Sequence, residues 1–68
     1  MEQVKIQTEF IKLDQFLKWA GAVGSGAEAK LLIIGGYVKV NGAIEIQRGK
    51  KIRVGDKIEY NELVFEVI

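Results

Sequence analysis

The chain has 68 residues, a net charge of +1, 49% hydrophobic and 28% charged residues, and no Cys, His or Pro. One small domain spanning 1–68 is the expectation, because an average domain takes roughly 100 to 200 residues. Without Cys or His there is no disulfide, no ordinary structural zinc site and no imidazole or thiol for catalysis, so a non-catalytic protein without metal or cofactor is expected.

Met1 to Lys12 lacks the apolar core of a signal peptide, and the longest apolar run, Leu31 to Ile34, is far short of the roughly 18 residues of a membrane span. A soluble cytoplasmic protein is therefore expected. Val4, Ile6 and Thr8 alternate with Lys5 and Gln7, which predicts a short edge strand. From Phe10 the period changes. Phe10, Leu13, Leu17 and Ala20 fall on one face of a helix ending near Gly21, with Phe16 on its flank.

Ser25-Gly26-Ala27-Glu28 has the form of a capping box, in which Ser25 accepts from the Glu28 amide while Glu28 reaches back. It predicts a second helix of about ten residues with Ala29, Leu32 and Ile33 as its core stripe and Gly35-Gly36 as its stop. Leu31 and Ile34 make this helix apolar on more than one side, which predicts a place between the first helix and a sheet. Tyr37–Val40 and Ala43–Ile46 then alternate about Asn41-Gly42, the signature of a type I′ hairpin. Gln47 to Lys51 reads as a polar loop, Ile52-Arg53-Val54 as a short strand before the Gly55-Asp56 turn, and Lys57–Tyr60 and Leu63–Ile68 as strands joined at Asn61-Glu62. The expected class is α+β, two helices packed on a small, mostly antiparallel sheet.

Charge is segregated. Residues 1–29 hold three Lys and four acids, net −1; residues 30–57 hold seven Lys and Arg against Glu45 and Asp56, net +5; residues 58–68 hold three Glu, net −3. Arg48, Lys50, Lys51, Arg53 and Lys57 dominate the basic middle, either as a solvated loop or as a local surface for a polyanion.

The ordered motifs resemble a known family. Lys12-Leu13-Asp14-Gln15-Phe16-Leu17 is similar to the opening helix of the RNA-binding domain named after small-subunit ribosomal protein S-four. Ser25-x-x-Glu28-Ala29-Lys30-x-Leu32-Ile33-x-x-Gly36-x-Val38-x-Val40-Asn41-Gly42 resembles its central signature, and Val54-Gly55-Asp56-x-Ile58 matches its closing pattern in part. The short form with Arg48-Gly49-Lys50-Lys51 looks like the stand-alone bacterial members called YaaA-like. The resemblance implies an α-L RNA-binding motif whose helices and hairpin frame a site for structured RNA, ribosomal or transfer RNA, with Lys12 and Lys30 at positions that often contact it. Gly26 and Leu31 depart from the family's usual basic residues, which shifts the expected contacts toward the Arg48 to Arg53 loop.

Ser25, Glu28, Asn41, Gly42, Gly55 and Asp56 are accounted for as caps and turns, and Asp14 as a carboxylate at the positive end of a helix. Trp19 projects to the flank that carries Lys12, where it either covers the fold's edge or stacks on an unpaired base; Tyr37 has the same two readings. The expected function is docking of structured RNA, most of all ribosomal RNA, in ribosome assembly or a ribosome-associated role. The expected RNA-binding residues are Lys12, Trp19, Lys30, Lys39, Arg48, Lys50, Lys51 and Arg53. A protein interaction adaptor is the alternative, motivated by the apolar excess of the second helix.

Overall fold

A computed structural model describes residues 1–68. In chain order the elements are β1 (Glu2–Val4), β2 (Ile11–Lys12), α1 (Leu13–Trp19), α2 (Gly26–Ile34), β3 (Val38–Val40), β4 (Ala43–Ile44), β5 (Lys51–Ile52), β6 (Lys57–Tyr60) and β7 (Leu63–Val67). The larger sheet has the order β1-β7-β6-β3-β4, and β2 pairs with β5 in a separate two-stranded ribbon. Only the β1–β7 pairing is parallel, so the α+β class with a mostly antiparallel sheet is the observed one.

Alternation along the strands gives the larger sheet an inner and an outer face. Val38, Val40, Ile58, Phe65 and Val67 are buried on the inner side, where they meet Leu13, Phe16 and Leu17 of α1 and Ala29 and Ile33 of α2 in one core. Phe16 and Phe65 join helix to sheet edge to face, with ring centroids 6.2 Å apart and planes at 79°. The outer face carries Lys39, Lys57, Glu59 and Glu66. Lys39 lies opposite Glu59 and Lys57 opposite Glu66, so charge there is paired across strands.

Several boundaries differ from the sequence expectation. The first strand is Glu2–Val4, not a run to Thr8, because its pairing with β7 ends at Val4↔Val67. Ile6 is nonetheless buried, held by its amide on Ile68 O at 3.0 Å. Phe10 precedes α1 rather than lying on it; the helical core face is Leu13, Phe16 and Leu17, which moves Phe16 from flank to center. The helix stops at Ala20, and Gly21 supplies the left-handed residue beyond it (φ 75°).

The Ser25 cap is present, with its Oγ accepting from Glu28 N at 3.2 Å, but the return bond lands one residue early, on Gly24 N at 2.8 Å. Leu31 and Ile34 are exposed, so α2 is not sandwiched as expected; only Ala29 and Ile33 are fully inside. The hairpin turn at Asn41-Gly42 has positive φ at both residues, 52° and 86°, as a type I′ turn requires. Asn61 and Glu62 repeat that geometry without a glycine (φ 53° and 67°) between β6 and β7.

Candidate nucleic-acid interface

The basic loop is not free. Ile11 and Lys12 pair antiparallel with Ile52 and Lys51, and the chain then turns into α1 with no side-chain cap at its N-terminus. Two of the amides that any helix start leaves unsatisfied are taken by loop carbonyls instead: Leu13 N donates to Lys50 O at 2.9 Å and Asp14 N to Arg48 O at 3.1 Å. Residues 48–53 thus lie along residues 10–14.

This docking brings five of the expected residues together: Lys12, Arg48, Lys50, Lys51 and Arg53. Ile11 and Ile52 point inward, the latter fully buried, which turns their neighbors Lys12 and Lys51 outward on the same face. As cross-strand partners these two lysines put like charges at directly opposite positions, an arrangement that destabilizes a sheet. Asp14 sits beside them at the helix start, but its Oδ1 accepts from Gln15 N at 2.8 Å.

Phe10 completes the cluster. The Lys51 Nζ lies 4.8 Å from its ring centroid and the Arg53 Cζ 5.7 Å away, so one ring face system holds two cations in place. Sequence reasoning placed Phe10 in the helical core and so missed this role. The signal, an aromatic residue immediately before a Lys-Leu-Asp helix start, is too local to identify a partner 41 to 43 residues further along.

A second latch fixes the far end of the loop. Asp56 accepts from Arg53 N through Oδ2 at 2.8 Å and from Asn41 Nδ2 through Oδ1 at 3.0 Å, while Asn41 Oδ1 accepts from Lys57 N at 2.9 Å. The Asn-Gly and Gly-Asp motifs, read separately as turns, hold each other. Gly55, at φ 97°, lets the chain reverse between Arg53 and Asp56.

The remaining expected residues stand apart from this cluster. Lys30 is on the exposed side of α2 with Leu31 and Ile34. Lys39 is on the outer sheet face, in a shallow hollow shared with Tyr37, Glu59, Tyr60 and Glu62, where two carboxylates offset it. Trp19 is exposed at the end of α1, and its Nε1 donates to Lys5 O at 3.0 Å, so it pins the segment after β1. No group of three His, Cys, Asp or Glu side chains converges to hold a metal ion, and no helix is long and apolar enough to cross a membrane.

Comparison with known proteins gives consistent results. The chain is similar to a Bacillus subtilis protein named "Probable ribosome maturation protein RlbA", 43% identical over 56 residues that cover 82% of this chain and 79% of that one. YbcJ of Escherichia coli is 40% identical over 50 residues, 74% of this chain and 71% of its own length. The solution structure of YbcJ, described as revealing an αL motif involved in RNA-binding, superimposes with a TM-score of 0.76 at 32% identity, covering 100% of this chain and 87% of that one. The family model described as the S4 domain matches residues 4–68, nearly the whole chain, and with the α-L arrangement of helices and hairpin already in view, the protein belongs to the S4 domain family.

Proposed function

We propose that the protein is a non-catalytic module that docks structured RNA, ribosomal RNA in particular, during ribosome assembly or on the ribosome in the cytoplasm. The observation that carries this reading is the gathering of Lys12 and Lys51, opposite each other on the ribbon, with Arg48, Lys50 and Arg53 on the segments that flank it. A fold that keeps like charges adjacent carries a cost that a phosphate between them relieves. The names of the relatives, probable ribosome maturation protein for RlbA and an RNA-binding motif for YbcJ, support the same reading.

Ultraviolet crosslinking of the tagged protein in cells, followed by sequencing of the attached RNA, tests it. Reads concentrated in one region of ribosomal RNA are expected; recovery that merely follows RNA abundance refutes the ribosomal assignment. The adaptor reading draws on one observation, the exposed apolar side chains of Leu31, Ile34, Tyr37 and Ile44. Ribonuclease treatment before purification separates the two, since an adaptor keeps its protein partners and an RNA-docking module releases them.

A further inference from the structure

We infer that the hollow beside Trp19 takes one unpaired nucleobase of the bound RNA, stacked against the indole; this rests on the RNA-docking reading above. The hollow, of about 220 Å³, is lined by Ile6, Gln7, Thr8, Ile11 and Trp19. A second hollow, lined by Ile11, Gln15, Lys18 and Trp19, shares two of those walls, so Ile11 and Trp19 line both.

Three features separate this arrangement from a tryptophan that only covers core. Tryptophan is highly buried on average, yet Trp19, the only Trp in the chain, is 59% exposed. Its Nε1–H is already bonded to Lys5 O, which fixes the plane of the ring and leaves its π surface as the part still available for binding. The opposing wall is fixed as well, because Thr8 Oγ1 donates to Phe10 O at 2.7 Å and so sets the course of residues 8–10. Stacking on such a preset surface loses little conformational freedom.

The chemistry of the lining suits a base. Half-buried Ile11 offers apolar contact to a heterocycle above a floor formed by the nearly buried Ile6, and the exposed Gln7 carboxamide carries both a donor and an acceptor for a base edge. The site adjoins the basic ribbon through Ile11, which lies on the face of β2 opposite Lys12 and Phe10, and the unpaired edge of β2 separates the hollow from the cations. Lys18, in the adjoining hollow, provides a cation for the phosphate of the same strand. RNA held on the ribbon and rounding that edge of β2 meets an aromatic platform. Unpaired bases splayed from structured RNA are recognized by stacking in this way.

Excited at the red edge of the tryptophan band, where Tyr37 and Tyr60 do not absorb, the full chain's fluorescence reports Trp19 alone. Three probes of equal charge are titrated at one salt concentration: single-stranded oligoadenylate, the same ribose-phosphate strand without bases, and inorganic polyphosphate. Saturable quenching by oligoadenylate only, with an affinity about tenfold above that of the abasic strand, is the expected result. Trp19→Leu is expected to remove that preference, and Trp19→Phe, which keeps a ring, to retain part of it; quenching in the unaltered chain needs neither variant to fold. Equal binding of oligoadenylate and abasic strand without quenching overturns the base site and leaves RNA docking standing. Failure of all three probes alongside binding of a structured ribosomal RNA hairpin overturns the base site alone, and failure of the hairpin as well overturns the RNA reading and the base site with it.

Discussion

Replacing Lys50 and Lys51 together by Gln tests the basic ribbon most directly. Both side chains are exposed, and the Lys50 carbonyl that receives the Leu13 amide is unaffected by the change. The side-chain contact at risk is that of Lys51 with Phe10, worth about 0.5–1 kcal/mol at an exposed site. Five cations on the ribbon predict that log affinity falls with log salt at a slope of about −3.5, using the single-strand coefficient, and three predict about −2.1. Between 50 and 200 mM salt the unaltered protein should then lose affinity by about 130-fold, and the double variant by only about 18-fold. Paired RNA steepens both slopes in proportion, so their ratio is the diagnostic quantity. Fluorescence anisotropy with a labeled ribosomal RNA hairpin across that salt range measures it. Lys57→Gln is the control, because Lys57 lies on the outer sheet face opposite Glu66 and should leave the slope unchanged. An unaltered slope in the double variant, or an equal drop in the control, would refute the assignment of phosphate contacts to the ribbon.

Asp56→Ala removes the acceptor of two hydrogen bonds and should destabilize the fold by about 2 kcal/mol, as bonds to a charged group typically do. In a domain of this size that lowers Tm by about 8–16 °C in a thermal melt; a shift under 3 °C would show that the Asn41–Asp56 latch contributes little. Glu62→Gly relieves an L residue at φ 67° and should stabilize by about 0.5–1 kcal/mol in urea denaturation. Gly42→Ala should do the reverse, losing about 1 kcal/mol through backbone alone, since a Cβ built there meets nothing within 4 Å. Matching signs for those two substitutions would contradict the turn geometry.

The long-period signals were legible in the sequence: Ala29 and Ile33 in α2, the Ser25 cap, and the Asn41-Gly42 turn all stand where spacing placed them. Failures came where a local pattern served a distant partner. Phe10 has the right spacing for the α1 face, but the two-residue ribbon β2–β5 draws it toward Lys51 and Arg53 before the helix begins. Ribbons this short leave no periodicity to detect. Leu31 and Ile34 satisfied an apolar count without being covered, because α2 has only α1 and the sheet on its inner side and nothing on the other. At the candidate site the charge excess of residues 30–57 was visible as a sum, but its division was not. Lys30 and Lys39 fall outside the ribbon, and Lys12, from a segment of net negative charge, falls within it.

Helix α1 has seven residues, too few to persist alone in water, and its first amides are closed by the carbonyls of Arg48 and Lys50. Inserting or deleting a residue between Gln47 and Lys51 would shift those carbonyls out of register and release the helix start along with the ribbon. Surface loops commonly tolerate changes in length; this one is tied to the helix it closes by two backbone hydrogen bonds. Exchanging side chains at constant spacing keeps both carbonyls on the helix start, whereas a longer basic loop grafted onto this scaffold would move them away from it.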